Sequence, residues 1–94
     1  MLGFLGGTGE EGKGLAFRLA LSGESVMIGS RDESRAIEAA GEVNSLLGKQ
    51  LAAGADNFRT AEESDVVFIT VPYSAQDKLL RDVCHYLQSK IVID

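Results

Sequence analysis

Gly7, Gly9 and Gly12 stand at G-x-G-x-x-G spacing directly after the apolar run Leu2–Leu5. A glycine-rich turn that leaves a strand and opens a helix suits the pyrophosphate of a dinucleotide. One glycine makes the tight turn, one lets the diphosphate reach the backbone, and one lets helix and strand pack closely. The helix N-terminus adds free N–H groups and a partial positive charge. A second feature follows at matching distance, where Gly29-Ser30-Arg31 ends the next apolar run, Ser25–Ile28. Folds specific for NAD place a carboxylate there, about 20 residues past the glycines, to take the ribose 2′-hydroxyl. Here a hydroxyl and a guanidinium hold that place. A carboxylate would repel a 2′-phosphate, whereas Arg31 can pair with it bidentately and lay its plane on adenine. Arg35 follows four residues later, on the same face of a helix expected to start near Glu33. A charge-assisted hydrogen bond contributes about 1.5–3 kcal/mol. Two of them favour NADPH over NADH by roughly a hundredfold or more, at about 1.4 kcal/mol per decade. The competing reading, that Arg31 and Arg35 are ordinary solvated charges, is weakened by the glycines upstream.

The elements that must carry these residues alternate between strand and helix, the signature of a parallel α/β sheet. Leu2–Leu5 reads as a strand, Glu11–Ser22 as a helix closed by Gly23, and Ser25–Gly29 as a second strand. Ser30, Arg31 and Asp32 supply cap residues for a helix over Glu33–Leu47. Its Ala36, Ala40, Val43 and Leu47 recur at helical spacing, and Ile37 and Leu46 widen the stripe. Gly48–Asp56 reads as loop, and a short third strand is expected near Asn57–Arg59. Thr60 and Glu63 then have capping-box spacing for a single helical turn. Asp65–Val71 is a continuous β-branched run, as expected of a strand buried on both faces, and Pro72 stops it. A helix over Ala75–Leu87 and a fifth strand, Ile91–Ile93, complete the pattern. The expected fold is a Rossmann-type doubly wound parallel sheet of order 3-2-1-4-5, apparently truncated after the fifth strand. The nucleotide would lie across the carboxyl ends at the switch between strands one and four. Little chain remains after the fifth strand to cover its edge. That suggests either the first half of something larger or a homodimer pairing those edges.

Composition narrows the classes. The 94 residues allow one small domain, and 45% hydrophobic with 24% charged residues is ordinary globular composition. A net charge of −5 argues against a general nucleic-acid binder and requires positive charge to be concentrated locally, with Lys13, Arg31 and Arg35 as candidates. One cysteine excludes an internal disulfide and any multi-cysteine metal site. No run reaches the length of a membrane span and no signal-peptide pattern opens the sequence, so a cytoplasmic location is expected.

The motifs Gly6-Gly-Thr-Gly-Glu-Glu-Gly-Lys-Gly-Leu-Ala16, Ile28-Gly-Ser-Arg31, Asp65-Val-Val67 with Thr70-Val-Pro-Tyr73, and Lys90-Ile-Val-Ile-Asp94 resemble those of the F420-dependent NADP oxidoreductases. The likeness runs along essentially the whole chain and keeps the spacing. It implies reversible hydride transfer between the reduced deazaflavin F420 and NADP. It also implies that Thr8, Gly9, Glu10 and Glu11 hold the pyrophosphate, and that Ser30, Arg31 and Arg35 hold the 2′-phosphate. Val71 and Pro72 would line the nicotinamide ribose, with Tyr73 beside it. The Glu10-Glu11 pair departs from what a diphosphate prefers, so the backbone N–H groups must bind while both carboxylates point to solvent. Family members are longer, and their deazaflavin pocket draws on the part not represented in these residues. The N-terminal domain of membrane ferric reductases shares the same motifs, so the resemblance fixes NADP more firmly than F420.

Other constellations carry less. Tyr86 and Lys90 match the Tyr-x-x-x-Lys pair of short-chain dehydrogenases but fall too early in such a fold. His85 reads as a surface histidine and Cys84 as a small semi-buried hydrophobe. Asp65 and Asp94 lie at strand ends, where capping or solvation is expected. Asp56, Glu62 and Glu63 read as charged loop and helix surface. Hydride transfer between two bound cofactors needs no acid, base or nucleophile, only proximity, orientation and exclusion of water. The absence of a catalytic cluster is therefore compatible with an oxidoreductase. Three classes remain: the NADP-binding part of an F420-dependent reductase, an NADP module serving another electron acceptor such as a ferric-reductase-like partner, and a non-catalytic NADP-sensing domain.

Overall fold

The computed structural model describes all 94 residues, with the side chain of Tyr73 outside the description. Five parallel strands form one sheet of order β3-β2-β1-β4-β5, built from β1 (Leu2–Leu5), β2 (Val26–Ser30), β3 (Ala52–Asp56), β4 (Val66–Ile69) and β5 (Ile91–Ile93). The helices between them are α1 (Glu10–Leu21), α2 (Glu33–Leu47), α3 (Asn57–Glu63) and α4 (Tyr73–Val83), the last tightening into a 3₁₀ turn over Cys84–Leu87. The expected α/β class and strand order are therefore the observed ones.

β1 lies at the centre of the sheet, paired with β2 on one side and β4 on the other. Because a strand's side chains alternate between faces, its two largest residues feed two separate cores. Phe4 packs with Ala16, Ala20, Ala39, Ala40 and Val43 under α1 and α2, together with Val26 and Ile28. Leu5 packs with Ala61, Val67, Ile69 and Val83 under α3 and α4. Phe4 also stacks on its register partner Phe68, with ring centroids 4.9 Å apart and planes within 7°. Both faces of the sheet are covered, which is why β1, β2 and β4 read as unbroken apolar runs.

Helix ends follow local chemistry. Gly23, with φ of 96°, closes α1: its N–H donates to Ala20 O at 2.9 Å and Glu24 N–H donates to Leu19 O at 3.2 Å, a Schellman arrangement. The Asp32 carboxylate caps α2, accepting from Ser34 N–H at 3.0 Å. The α2 range is the one its periodicity predicts, but its apolar face is narrower than expected. Ile37 is 55% and Leu46 is 74% exposed. The buried stripe is Ala36, Ala39, Ala40 and Val43. Small residues suffice there because α2 lies so close to β3 that a Cβ on Gly54 would run into the backbone of Ala36 and Ile37.

The third strand is the main correction. It runs over Ala52–Asp56, within the stretch expected to be loop, and Asn57–Arg59 form the first turn of α3. Its sequence, Ala-Ala-Gly-Ala-Asp, has none of the β-branched or aromatic residues that signal a strand. Tertiary contacts place it instead. Asn44 of α2 accepts from Leu51 N–H at 3.0 Å and Ala52 N–H at 2.9 Å, and donates from Nδ2 to Ala52 O at 2.8 Å. Asp56 then caps α3, accepting from Arg59 N–H at 2.8 Å. Thr60 is not a cap but a buried residue within the helix, its hydroxyl donating to Asp56 O at 2.8 Å.

Smaller differences follow the same logic. β4 stops at Ile69, two residues short of the apolar run, although Thr70 N–H and Thr70 Oγ1 still donate to Leu5 O. α4 starts two residues before its expected position, with Pro72 at the N-cap. Cys84 is exposed and not semi-buried. His85 is exposed, as its helical neighbours predict. β5 pairs with β4 and leaves Ile91, Val92 and Ile93 at 63%, 43% and 41% exposure. No helix among the described residues is long and apolar enough to cross a membrane.

The α2–β3 contact can be tested by a pair of glycine substitutions. Gly54→Ala should destabilise the fold by about 1–3 kcal/mol through overpacking. Gly41→Ala meets nothing within 4 Å on the exposed face of α2 and should stabilise by about 0.5–1 kcal/mol. Urea unfolding of both variants checks this; equal midpoints would contradict the contact.

Candidate functional site

The turns after β1, β2, β3 and β4 meet at the carboxyl ends of the strands around a cleft of about 980 Å³. This is where a doubly wound sheet reverses its strand order and leaves space for a ligand.

The floor is the glycine turn. Gly6 takes φ of 68°, and a Cβ there would strike the Val71 side chain. The left-handed residue is thus Gly6, one position before the first fingerprint glycine. Gly7 is buried: its N–H donates to Gly29 O at 2.9 Å, tying the turn to the end of β2. Gly9 is exposed, and a Cβ there would meet nothing within 4 Å, so the space above it belongs to the cleft. Gly12 provides the close approach, since a Cβ would come 2.8 Å from Gly7 Cα and 3.0 Å from Thr70 Oγ1. Gly9 is also the N-cap of α1 and supplies no side-chain acceptor, so the first N–H groups of that helix are left for a ligand.

The expected residues fall into three groups. Thr8, Gly9, Ser30, Arg31, Arg35, Val71 and Pro72 all line the cleft. Gly7 and Gly12 are buried beneath it and shape the turn. Glu10 and Glu11 are exposed and do not form its wall, so their carboxylates are free to stay in water. The role expected of Tyr73 lies outside the described side chains.

At the other end, Arg31 and Arg35 are exposed on the cleft rim. Arg31 lies in the bend before α2 and Arg35 in its first turn, so they reach the cleft wall from adjoining segments and not from one helical face. Neither is paired with a carboxylate among the described residues. Ser30 Oγ accepts from Asp32 N–H at 3.2 Å and fixes this bend. Of the two acids between the arginines, Glu33 lies off the cleft wall and Asp32 lies on it. Its carboxylate takes Ser34 Oγ–H at 2.6 Å as well as the Ser34 N–H. Those hydrogen bonds, with Arg35 adding a weaker attraction, hold its carboxyl below the usual carboxylate range. Asp32 is therefore an ionised cap turned to α2.

Lys13 does not join this group. Its ammonium pairs with Glu42 at 2.9 Å, which raises its pKa and ties α1 to α2. The local positive charge of the cleft comes from Arg31 and Arg35.

Residues hidden from the sequence complete the wall. Asn57 is buried at 6% exposure, and its Oδ1 accepts from Gly6 N–H at 3.1 Å, bracing the glycine turn from the β3 side. Phe58 lines the cleft half-exposed, its ring meeting Tyr86 edge-on at 5.9 Å. Lys78 of α4 reaches the wall but pairs with Asp82 at 2.9 Å. The signal for Asn57 was an Asp-Asn pair able to open a helix. Placing a strand on it obscured that reading. No cluster of three or more His, Cys, Asp or Glu suited to a metal occurs among the described residues.

Comparison with known proteins agrees with this geometry. Residues 1–94 match the sequence model of the family described as NADP oxidoreductase, coenzyme F420-dependent. The chain is 46% identical over 92 residues to the F420-dependent NADP reductase of Methanothermobacter marburgensis and 42% identical over 92 residues to that of Methanothermobacter thermautotrophicus. It is 38% identical over 97 residues to the enzyme so named in Methanocaldococcus jannaschii. These alignments cover 96%, 96% and 98% of this chain but only 41%, 40% and 43% of those relatives.

Two substitutions test the site. The extended backbone at Gly9, with φ of −73°, accepts any side chain. Gly9→Val should therefore leave a folded domain, with about 1 kcal/mol lost at the N-cap, while abolishing dinucleotide binding; normal NADPH binding would refute the loop assignment. Arg31→Ala should weaken NADPH binding by about tenfold or more at 1.4 kcal/mol per decade and leave NADH binding nearly unchanged. Calorimetric titration reads the difference, and equal losses would remove the 2′-phosphate contact.

Proposed function

The chain belongs to the F420-dependent NADP oxidoreductase family, and from that premise we propose that residues 1–94 form the NADP(H)-binding part of an oxidoreductase passing hydride between coenzyme F420 and NADP. The chain spans about two-fifths of the length of the curated relatives it matches. The proposed activity is accordingly that of the protein to which this domain contributes its nucleotide site.

One observation carries the nucleotide assignment. The open glycine turn and the Arg31–Arg35 pair line the same cleft. The donor set fits a 2′-phosphorylated dinucleotide. The backbone N–H groups over Gly9 suit the pyrophosphate, and two guanidiniums suit a dianionic phosphate. The carboxylate that would favour an unphosphorylated ribose is missing from the end of β2, and Asp32 is committed to its cap.

Bound nicotinamide supplies the carbon that exchanges hydride; this chain supplies placement. In this reading Val71 and Pro72 form the wall after β4 beside the nicotinamide ribose, and Thr70 fixes that wall by its hydrogen bond to Leu5 O. The glycine turn and the arginines set the distance from that wall to the phosphates. No proton needs to be moved, and the carboxylates on the cleft wall are otherwise engaged, Asp32 and Asp56 as helix caps and Asp82 with Lys78. A cytoplasmic setting for this chemistry fits the composition, with its single cysteine.

The direct test is to supply the protein with NADPH and oxidised F420 and follow loss of the deazaflavin's visible absorbance. The reading expects NADPH-dependent reduction, with NADH slower by roughly a hundredfold. Equal rates with NADH would overturn the NADP assignment. Tight NADPH binding without deazaflavin reduction would remove hydride transfer to F420 and leave a nucleotide-binding module.

A further inference from the structure

Asn57 has a second polar group that the fold does not use. The Gly6 backbone N–H is a donor only, so the oxygen of the Asn57 amide must face it, and does so at 3.1 Å. The amide nitrogen, with two N–H donors, is then directed away from the turn. It has no acceptor among the described residues, although the side chain is 6% exposed. The nitrogen itself is not sealed from solvent, since the only buried side-chain polar atom without a partner among the described residues is Ser64 Oγ. Asn57 belongs to the wall of the same cleft as Gly9 and Arg31. Asn44 makes the contrast clear, because its oxygen and its nitrogen both find partners in the strand it anchors. An amide donor open to the cleft and without a protein acceptor is free to pair with water or with a ligand.

Its position specifies which part of a ligand would do so. Asp56, the preceding residue, is the register partner of Ser30 at the end of β2. A Cβ on Gly29 would lie 2.8 Å from Asn57 Oδ1, so the absence of a side chain there makes room for this amide. Asn57 thus sits between the glycine turn and the Ser30-Arg31 end of the cleft, along the adenosine half of a dinucleotide.

We propose that Asn57 is a nucleotide-contacting residue, donating from Nδ2 to an oxygen of the adenosine half while its Oδ1 holds the glycine turn. That oxygen is a ribose hydroxyl or one on the adjoining 5′-phosphate. The inference rests on the NADP reading above and deepens it. Through one amide, binding of the sugar-phosphate is linked to the shape of the pyrophosphate loop.

The probe is 2′,5′-ADP, which carries the adenosine half and both phosphates but no nicotinamide. In nitrogen–proton correlation spectra, the Asn57 side-chain NH₂ pair is identified by its loss in Asn57→Asp. If that variant fails to fold, through-bond correlation to the Asn57 backbone identifies it. The pair should shift on saturation with 2′,5′-ADP. Asn57→Asp keeps an acceptor for Gly6 N–H and should bind 2′,5′-ADP more than about tenfold more weakly, through the lost hydrogen bond together with repulsion between the new carboxylate and the phosphates. Repeating the titration with 2′-AMP, which lacks the 5′-phosphate, separates the two oxygens. A shift that persists assigns the ribose, and a shift that vanishes assigns the 5′-phosphate. Side-chain signals that stay fixed while 2′,5′-ADP binds would overturn the Asn57 contact and leave the NADP reading intact. Failure of the unmodified protein to bind 2′,5′-ADP would overturn both.

Discussion

The whole arrangement depends on the chain leaving the central strand β1 and entering α1 with almost no room for side chains. Gly6 must take a left-handed turn against Val71, and Gly7 and Gly12 must touch through their backbones. Only this close approach brings the start of α1 over the carboxyl end of β1 and leaves its N–H groups facing open space at Gly9. The neighbouring strands brace the turn: Gly29 O takes the Gly7 N–H, Asn57 takes the Gly6 N–H, and Thr70 grips Leu5 O. Backbone donors can bind an anion only when they are held in place beforehand, and Gly29 of β2, Asn57 of α3 and Thr70 after β4 share that task.

The same economy of side chains recurs across the sheet. The helix stripe facing β3 is mostly alanine, and Gly54 lets the α2 backbone nearly touch the strand. Large side chains are concentrated at the centre, where Phe4 and Phe68 stack and Leu5 and Val67 fill the opposite face. The β2 and β3 ends that lead to Arg31 and Asn57 are set by the backbone approach at Gly54 and by hydrogen bonds of the Ser30 and Asn44 side chains.

Most of this was legible in the sequence wherever a local signal and the tertiary structure agree. Leu2–Leu5, Glu33–Leu47 and Ile91–Ile93 were delimited by apolar runs, caps and spacing, and the strand order followed from the alternation of elements. β3 was not, because Ala52–Asp56 carries no intrinsic strand preference and exists through Asn44 and its pairing with β2. That single displacement also concealed Asn57 and turned Thr60 from a buried residue into a supposed cap. On the cleft, residue types pointed to Gly9, Ser30 and Arg31, which do line it. They did not indicate that Lys13 would be drawn off by Glu42, which requires knowing that α1 and α2 lie side by side. Exposed Ile37 and Leu46 show the limit of helical periodicity, which marks an apolar stripe but not how much of it is covered.

The central claim is that one cleft reads a dinucleotide at both ends, with backbone N–H groups for the diphosphate and guanidiniums for the 2′-phosphate. The most direct measurement is a crystal structure with NADP⁺ bound. The account expects the diphosphate over Thr8 and Gly9 and the 2′-phosphate within hydrogen-bond reach of Arg31 and Arg35, with nicotinamide toward Val71 and Pro72. A nucleotide bound in the reverse direction, or with its 2′-phosphate in solvent away from both arginines, would contradict it.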